Sequence, residues 1–136
     1  MKISVIGSGT MGNGIAHLFA QNGFSVSLID VSQEQLNKAI ATITKNLDRQ
    51  VSKGSITAET KESALKNIVT HTSLVTSVKN AELVVEAATE NIELKLAIFK
   101  QIDENAPANC ILATNTSSIS ITKIASVTSR PEQVIG

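Results

Sequence analysis

Aromatic side chains are nearly missing from this 136-residue chain, which holds three Phe and neither Trp nor Tyr. Base-stacking platforms and aromatic sugar cradles are therefore not expected, and the core is left to aliphatic side chains. An excess of either charge is missing too: 12 Lys and Arg offset 12 Asp and Glu, so there is no basic footprint for a nucleic acid partner. Cys110 is the one cysteine. It sits in the apolar run CysIleLeuAla, which excludes an internal disulfide and a cysteine metal centre and reads as a buried thiol, so no metal site is expected. Apolar runs stay well short of the roughly 18 residues of a membrane span. Met1-Lys2 leads into IleSerValIle without the segments of a signal peptide, so a cytoplasmic protein with no membrane partner is expected.

What is present is an alternation. β-branched runs at Lys2 to Ile6, Ser25 to Ile29, Asn67 to His71, Glu82 to Ala87, Cys110 to Thr114 and from Val134 onward are separated by helical periodicities. That order predicts an α/β fold, a Rossmann-type doubly wound parallel sheet in the strand order 3-2-1-4-5-6. Met11, Ile15, Leu18 and Phe19 mark the first helix, and Ile92, Leu94, Leu96, Ile98 and Phe99 a later one. Leu36, Ile40, Ile43, Leu47 and Val51 hold the helical period from a Ser32-x-x-Gln35 capping box to Gly54. A helix of about 22 residues spans about 33 Å and must overhang strands of about 20 Å. Thr57 to Leu65 reads as a short returning helix.

Gly7, Gly9 and Gly12 form a Gly-x-Gly-x-x-Gly turn that leaves a predicted strand and opens a predicted helix. Gly7 suits the tight turn, Gly9 admits a pyrophosphate against the backbone, and Gly12 lets helix and strand pack closely. The N–H groups of Thr10, Met11 and Gly12 would receive the pyrophosphate at the positive end of the helix. Asp30, ending the second strand, can accept the adenosine ribose hydroxyls and would repel a 2′-phosphate. No Arg follows it in ValSerGlnGlu, which favours NAD over NADP. The competing readings are glycines that only make a tight turn and a solvated acid that caps the next helix.

GlySerGlyThrMetGlyAsnGlyIleAla, GluLeuValValGluAlaAlaThrGluAsnIleGluLeuLys (82 to 95) and AlaThrAsnThrSerSerIleSerIle (113 to 121) together resemble the 3-hydroxyacyl-CoA dehydrogenase family, and the likeness runs over essentially all 136 residues. It implies that residues 1–136 are an NAD-binding domain, with Gly7, Ser8, Gly9, Thr10, Met11, Gly12 and Asp30 on the ADP half of the cofactor and Glu90 and Lys95 beside the other half. It implies an acyl-CoA substrate, Ser117 on the reacting 3-oxygen, and Lys53 on the CoA moiety. A C-terminal helical domain, absent from this chain, would supply dimer contacts. Taken from the residues alone, Glu90 and Lys95 are solvated charges at a helix start, Ser117 is a cap or turn serine, and Lys53 is a solvated lysine.

Neither His17 nor His71 suits the general base that hydroxyl oxidation requires. The resemblance places that His, with its paired Glu and a substrate-binding Asn, beyond a Gln-Val-Ile-Gly strand start. The chain closes on ArgProGluGlnValIleGly, a polar turn and the first residues of a sixth strand, as a truncated domain would. Two alternatives stay open: the cofactor domain of a 3-hydroxyisobutyrate-type dehydrogenase, and a non-catalytic NAD-binding module.

Overall fold

A computed structural model describes residues 1–115 and 120–136. Six parallel strands lie in the order β3-β2-β1-β4-β5-β6: β1 Lys2–Ile6, β2 Ser25–Ile29, β3 Ile68–His71, β4 Leu83–Glu86, β5 Ile111–Thr114 and β6 Val134–Ile135. The helices are α1 Thr10–Gln21, α2 Gln33–Ser52, α3 Ala58–Lys66, α4 Leu74–Ser77, α5 Ile92–Asn105 and α6 Ile121–Ala125. In-register pairing of Ile3 with Val26 and of Val5 with Leu28 on one side, and with Leu83 and Val85 on the other, puts β1 at the centre.

Each sheet face carries its own core. Ile3, Val5, Val26 and Leu28 pack with Ala16, Ala20, Leu36, Ile43 and Leu47. On the other face Ile6, Val84 and Leu112 pack with Phe99, Ile102 and Ile124. Each fully buried Leu, Ile or Phe contributes about 1.5–3 kcal/mol relative to an exposed one.

The first helix is present as α1, but its buried stripe is not made of the apolar residues that mark it. Met11 and Leu18 are exposed, at 57% and 62%, and the buried stripe is Gly12, Ala16 and Ala20. A helix that must pack closely on a strand end presents its smallest side chains there, a face that hydrophobicity alone does not mark.

The long helix is present as α2, 20 residues and so about 30 Å against about 17 Å for a five-residue strand. It packs mainly on α1 and α3. Ser32 Oγ accepts the Gln35 N–H at 3.2 Å. The Ser32 N–H itself goes to Asp30 Oδ1, so the acid that follows β2 supplies the second bond shown for the capping box. The N-terminus of α3 is capped by Thr57, through the Thr60 N–H.

Residue 130 also departs from the polar-turn reading. Arg130 is buried, donating through Nε to Asp103 Oδ1 at 2.9 Å and through its other nitrogens to the carbonyls of Asp103, Ala106, Pro107 and Cys110. Cys110 is buried as expected, and burial pushes its thiol up, out of the reactive range.

Candidate cofactor and substrate site

The carboxyl ends of β1, β2, β4 and β5 converge on one edge, the place where an open α/β sheet binds its ligand. The chain leaves β1 through Gly7 at φ +98, a left-handed conformation that suits glycine. A Cβ on Gly12 would stand 1.7 Å from the Gly7 carbonyl oxygen, so the first turn of α1 lies directly on the end of β1. At Gly9 a Cβ would meet nothing within 4 Å, so the outer side of the turn is open.

Gly9 is also the N-cap of α1, with no side-chain cap and no acid in the first turn. Among the described helices longer than eight residues, α2, α3 and α5 are each capped by a side chain and α1 is not. Its leading N–H groups, at Thr10, Met11 and Gly12, precede the first intrahelical bond and lie at the positive end of the dipole, the kind of helix end that suits an anion.

Asp30 stands beside this turn and is half-buried. Its Oδ2 accepts the Ser8 N–H at 3.1 Å and the Ser8 hydroxyl at 2.8 Å, and its Oδ1 accepts the Ser32 N–H. Three of the roughly four acceptor positions of a carboxylate are thus used within the protein. Asp30 thus orders the start of α2 and lines the groove beside the glycine turn. Ser8 is buried and acts here as a donor that fixes Asp30.

The expectation of solvated charges after β4 fails for Lys95. Its side chain is fully buried, with Nζ 2.7 Å from Glu86 Oε1, 3.2 Å from Thr114 Oγ1 and 4.0 Å from Glu90 Oε1. Glu86 is the counterion that sequence reasoning missed. It ends β4, is fully buried, and its Oε2 accepts the N–H groups of Ala88 and Thr89 at 2.8 and 3.3 Å. The Thr114 hydroxyl donates to Oε1 at 3.0 Å. A signal was present in the sequence: Lys95 precedes Phe99 by four residues and Ile102 by seven, which puts it on the inward face of α5. Glu90 is about half exposed, at the rim.

Two grooves meet at this edge. One, of about 520 Å³, runs between Gly7–Gly9, Asp30 and Val31 on one wall and Leu74, Leu94 and Ile98 on the other. The second, of about 240 Å³, is lined by Met11, Thr89, Glu90 and Asn115. Ala87 and Ala88 line both, so the two form one trough past the uncapped end of α1. In order along it lie an apolar slot beside Asp30, the backbone donors at the start of α1, and a polar rim at Glu90. A separate groove of about 340 Å³ on the face of β1–β3, reaching His71, takes no part in the trough.

Ser117 lies outside the described residues. Lys53 is exposed at the C-cap of α2, away from both grooves of the trough. His17 is half-buried, its Nε2 paired with Gln21 Oε1 at 2.9 Å and Gln50 Oε1 at 3.0 Å, in keeping with a structural role. Among the described residues no helix is long and apolar enough to cross a membrane.

Comparison with known proteins gives the family. The sequence matches the family model described as "3-hydroxyacyl-CoA dehydrogenase, NAD binding domain" over residues 2–136. It is 47% identical to 3-hydroxyadipyl-CoA dehydrogenase of Escherichia coli K12 over 134 residues, covering 98% of this chain and 28% of that protein. It is 47% identical over 135 residues to 3-hydroxybutyryl-CoA dehydrogenase of Bradyrhizobium diazoefficiens, covering 99% of this chain and 46% of that one. The structure superposes on (S)-3-hydroxybutyryl-CoA dehydrogenase of Ralstonia eutropha with a TM-score of 0.94 at 46% identity, over 98% of this chain and 47% of the other. The chain thus spans half or less of the length of these relatives. With NAD as its cofactor, the chain belongs to the 3-hydroxyacyl-CoA dehydrogenase family, as the family's NAD-binding domain.

Proposed function

We propose that this chain is the cofactor half of a (3S)-3-hydroxyacyl-CoA dehydrogenase that interconverts 3-hydroxyacyl-CoA and 3-oxoacyl-CoA in fatty-acid or butanoate metabolism. The observation that carries the reading is the single trough with Asp30 at one end, the uncapped start of α1 in the middle and Glu90 at the other. NAD bound there exchanges a hydride with C3 of the substrate. Asp30 orients the adenosine ribose, the N–H groups of Thr10 to Gly12 neutralise the pyrophosphate, and Glu90 borders the nicotinamide ribose with Lys95 buried behind it. Ser117 is assigned to the 3-oxygen and Lys53 to the CoA phosphates, on the family resemblance. The same reading includes a C-terminal helical domain that carries the catalytic His, a homodimer formed through that domain, and a cytoplasmic location. The relatives favour this over a 3-hydroxyisobutyrate-type dehydrogenase.

Residues 1–136 should bind NAD in a calorimetric titration. Turnover of 3-oxobutanoyl-CoA with NADH should be near background, because neither His17 nor His71 lines the trough and general-base catalysis alone supplies about 10²–10⁴-fold. A complete protein carrying the further domain should turn over. Robust turnover by residues 1–136 would bring His17 and His71 back as candidate bases.

Asp30 gives a sharper test. Hydrogen bonds to a carboxylate are worth about 1.5–3 kcal/mol, so Asp30→Ala should weaken NAD binding roughly 10-fold to 100-fold. Because Asp30 also holds Ser8 and Ser32, the variant should lose about 1 kcal/mol of stability, read separately by thermal melting. The unmodified protein should bind NADP more weakly than NAD. Equal or tighter NADP binding would remove the ribose role.

A further inference from the structure

Glu86 has no part in the scheme above, yet it is fully buried behind the trough and takes four contacts there. One oxygen receives Lys95 Nζ at 2.7 Å and the Thr114 hydroxyl at 3.0 Å. The other receives the N–H groups of Ala88 and Thr89. These donors belong to three separate elements: α5, the end of β5, and the loop after β4, where Ala88 lines both grooves. The loop then continues through the Asn91 N–H on Thr89 Oγ1 and the Leu94 N–H on Asn91 Oδ1 into α5.

Lys95 lies between two carboxylates, and the distances decide which one it serves. Glu86 is at 2.7 Å with its side chain fully buried, whereas Glu90 is at 4.0 Å and 54% exposed. An ammonium out of water takes the nearest anion, because an unpaired buried charge is far costlier than a rim contact. If the negative charge at position 86 is removed, the nearest carboxylate to Lys95 is Glu90, and that acid is drawn inward with its loop.

We propose that Glu86 is a positioning residue for the cofactor site: by holding Lys95 from below and Ala88 and Thr89 from within, it keeps the loop after β4 seated and Glu90 at the rim of the trough. The proposal rests on the cofactor reading above. It makes Lys95 an intermediary, so the effect of Glu86 on NAD should pass through Lys95. A pair that only joined β4 to α5 would change stability and leave the affinity of the folded protein alone.

Glu86→Gln keeps the size and one acceptor oxygen while removing the charge. It should weaken NAD binding roughly 10-fold to 100-fold at a temperature where melting shows the variant folded. It should also speed hydrogen exchange at the Ala88 and Thr89 amides. Introduced into Lys95→Met, the same change should cost less than about 3-fold further, because there is no ammonium left to redirect. Thr114→Val, which keeps both charges and removes the bridging hydroxyl, gives the reading if Glu86→Gln does not fold, and should weaken NAD binding by roughly 2-fold to 10-fold. Unchanged NAD affinity in folded Glu86→Gln, or in Thr114→Val, would overturn the positioning role. So would losses that simply add in the double variant. A wild-type protein that binds no NAD would remove the cofactor reading and this one with it, whereas wild-type binding matched by Glu86→Gln removes this one alone.

Discussion

Gly12→Ala should unfold the glycine turn from the inside, while Gly9→Ala should leave the fold intact and remove the ligand. The two positions look alike in the sequence and differ in what surrounds them. A Cβ at Gly12 would lie 1.7 Å from the Gly7 carbonyl oxygen and 2.7 Å from its carbon. Both are backbone atoms, which no rotamer change can move, so α1 would have to lift off the end of β1. That shift also disturbs Ala16 and Ala20, the two fully buried residues that follow on the same stripe. Overpacking of this kind costs about 1–3 kcal/mol and more where backbone must move, so a loss of about 3 kcal/mol and a fall in Tm of about 10 °C are expected. NAD binding should go with it. Gly9 has a β-region backbone and open space where its Cβ would point, so alanine there should keep stability within about 0.5 kcal/mol of wild type. Its methyl would stand where a pyrophosphate must approach, and NAD affinity should fall at least 10-fold in a titration of the folded variant. Wild-type affinity in Gly9→Ala would mean that the cofactor does not pass over this residue.

The strands were legible because a sheet covered on both faces selects short continuous β-branched runs, and each of the six lies within a residue of its expected bounds except at the open end of β6. The glycine turn and Asp30 were legible because their chemistry depends on sequence-local spacing. The buried face of α1 was not legible, because close packing chose Gly12, Ala16 and Ala20 over the larger Met11 and Leu18. Lys95 was read as solvated for a different reason. Its counterion comes from the end of β4 and its hydroxyl partner from the end of β5, so the burial that pairs them exists only once the strands are side by side. Glu86 received no reading of its own from the sequence, and only the fold shows it closing on Lys95, Thr114 and two backbone amides. The same limit applies to Arg130, whose partners are spread over residues 103–110.

Arg130→Met should be the most damaging change away from the trough. The guanidinium is nearly buried, and its five donors satisfy the Asp103 carboxylate and the carbonyls of Asp103, Ala106, Pro107 and Cys110. These bonds tie the end of α5 to the loop that enters β5 and to the turn that enters β6. Methionine fills the volume and makes none of them. Asp103 would keep Ser129 as a donor but lose its cation, and the carbonyls would be left without this donor. Removing one partner from a buried ion pair costs about 3–5 kcal/mol, which urea unfolding at pH 7 should show directly. Acid gives an independent reading. Burial alone would raise the Asp103 carboxyl, but the Ser129 N–H, the Arg130 side chain and the Ser129 hydroxyl together hold it below its ordinary value. A group depressed in the folded state stabilises fully above its unfolded value, near pH 4, and loses that contribution as pH falls through the lower folded value. The gap between wild type and Arg130→Met should therefore be full at pH 7 and narrow as the pH falls below about 4. A gap that stays constant over that fall would mean that Arg130 acts through the carbonyls alone and that its pairing with Asp103 adds nothing to stability.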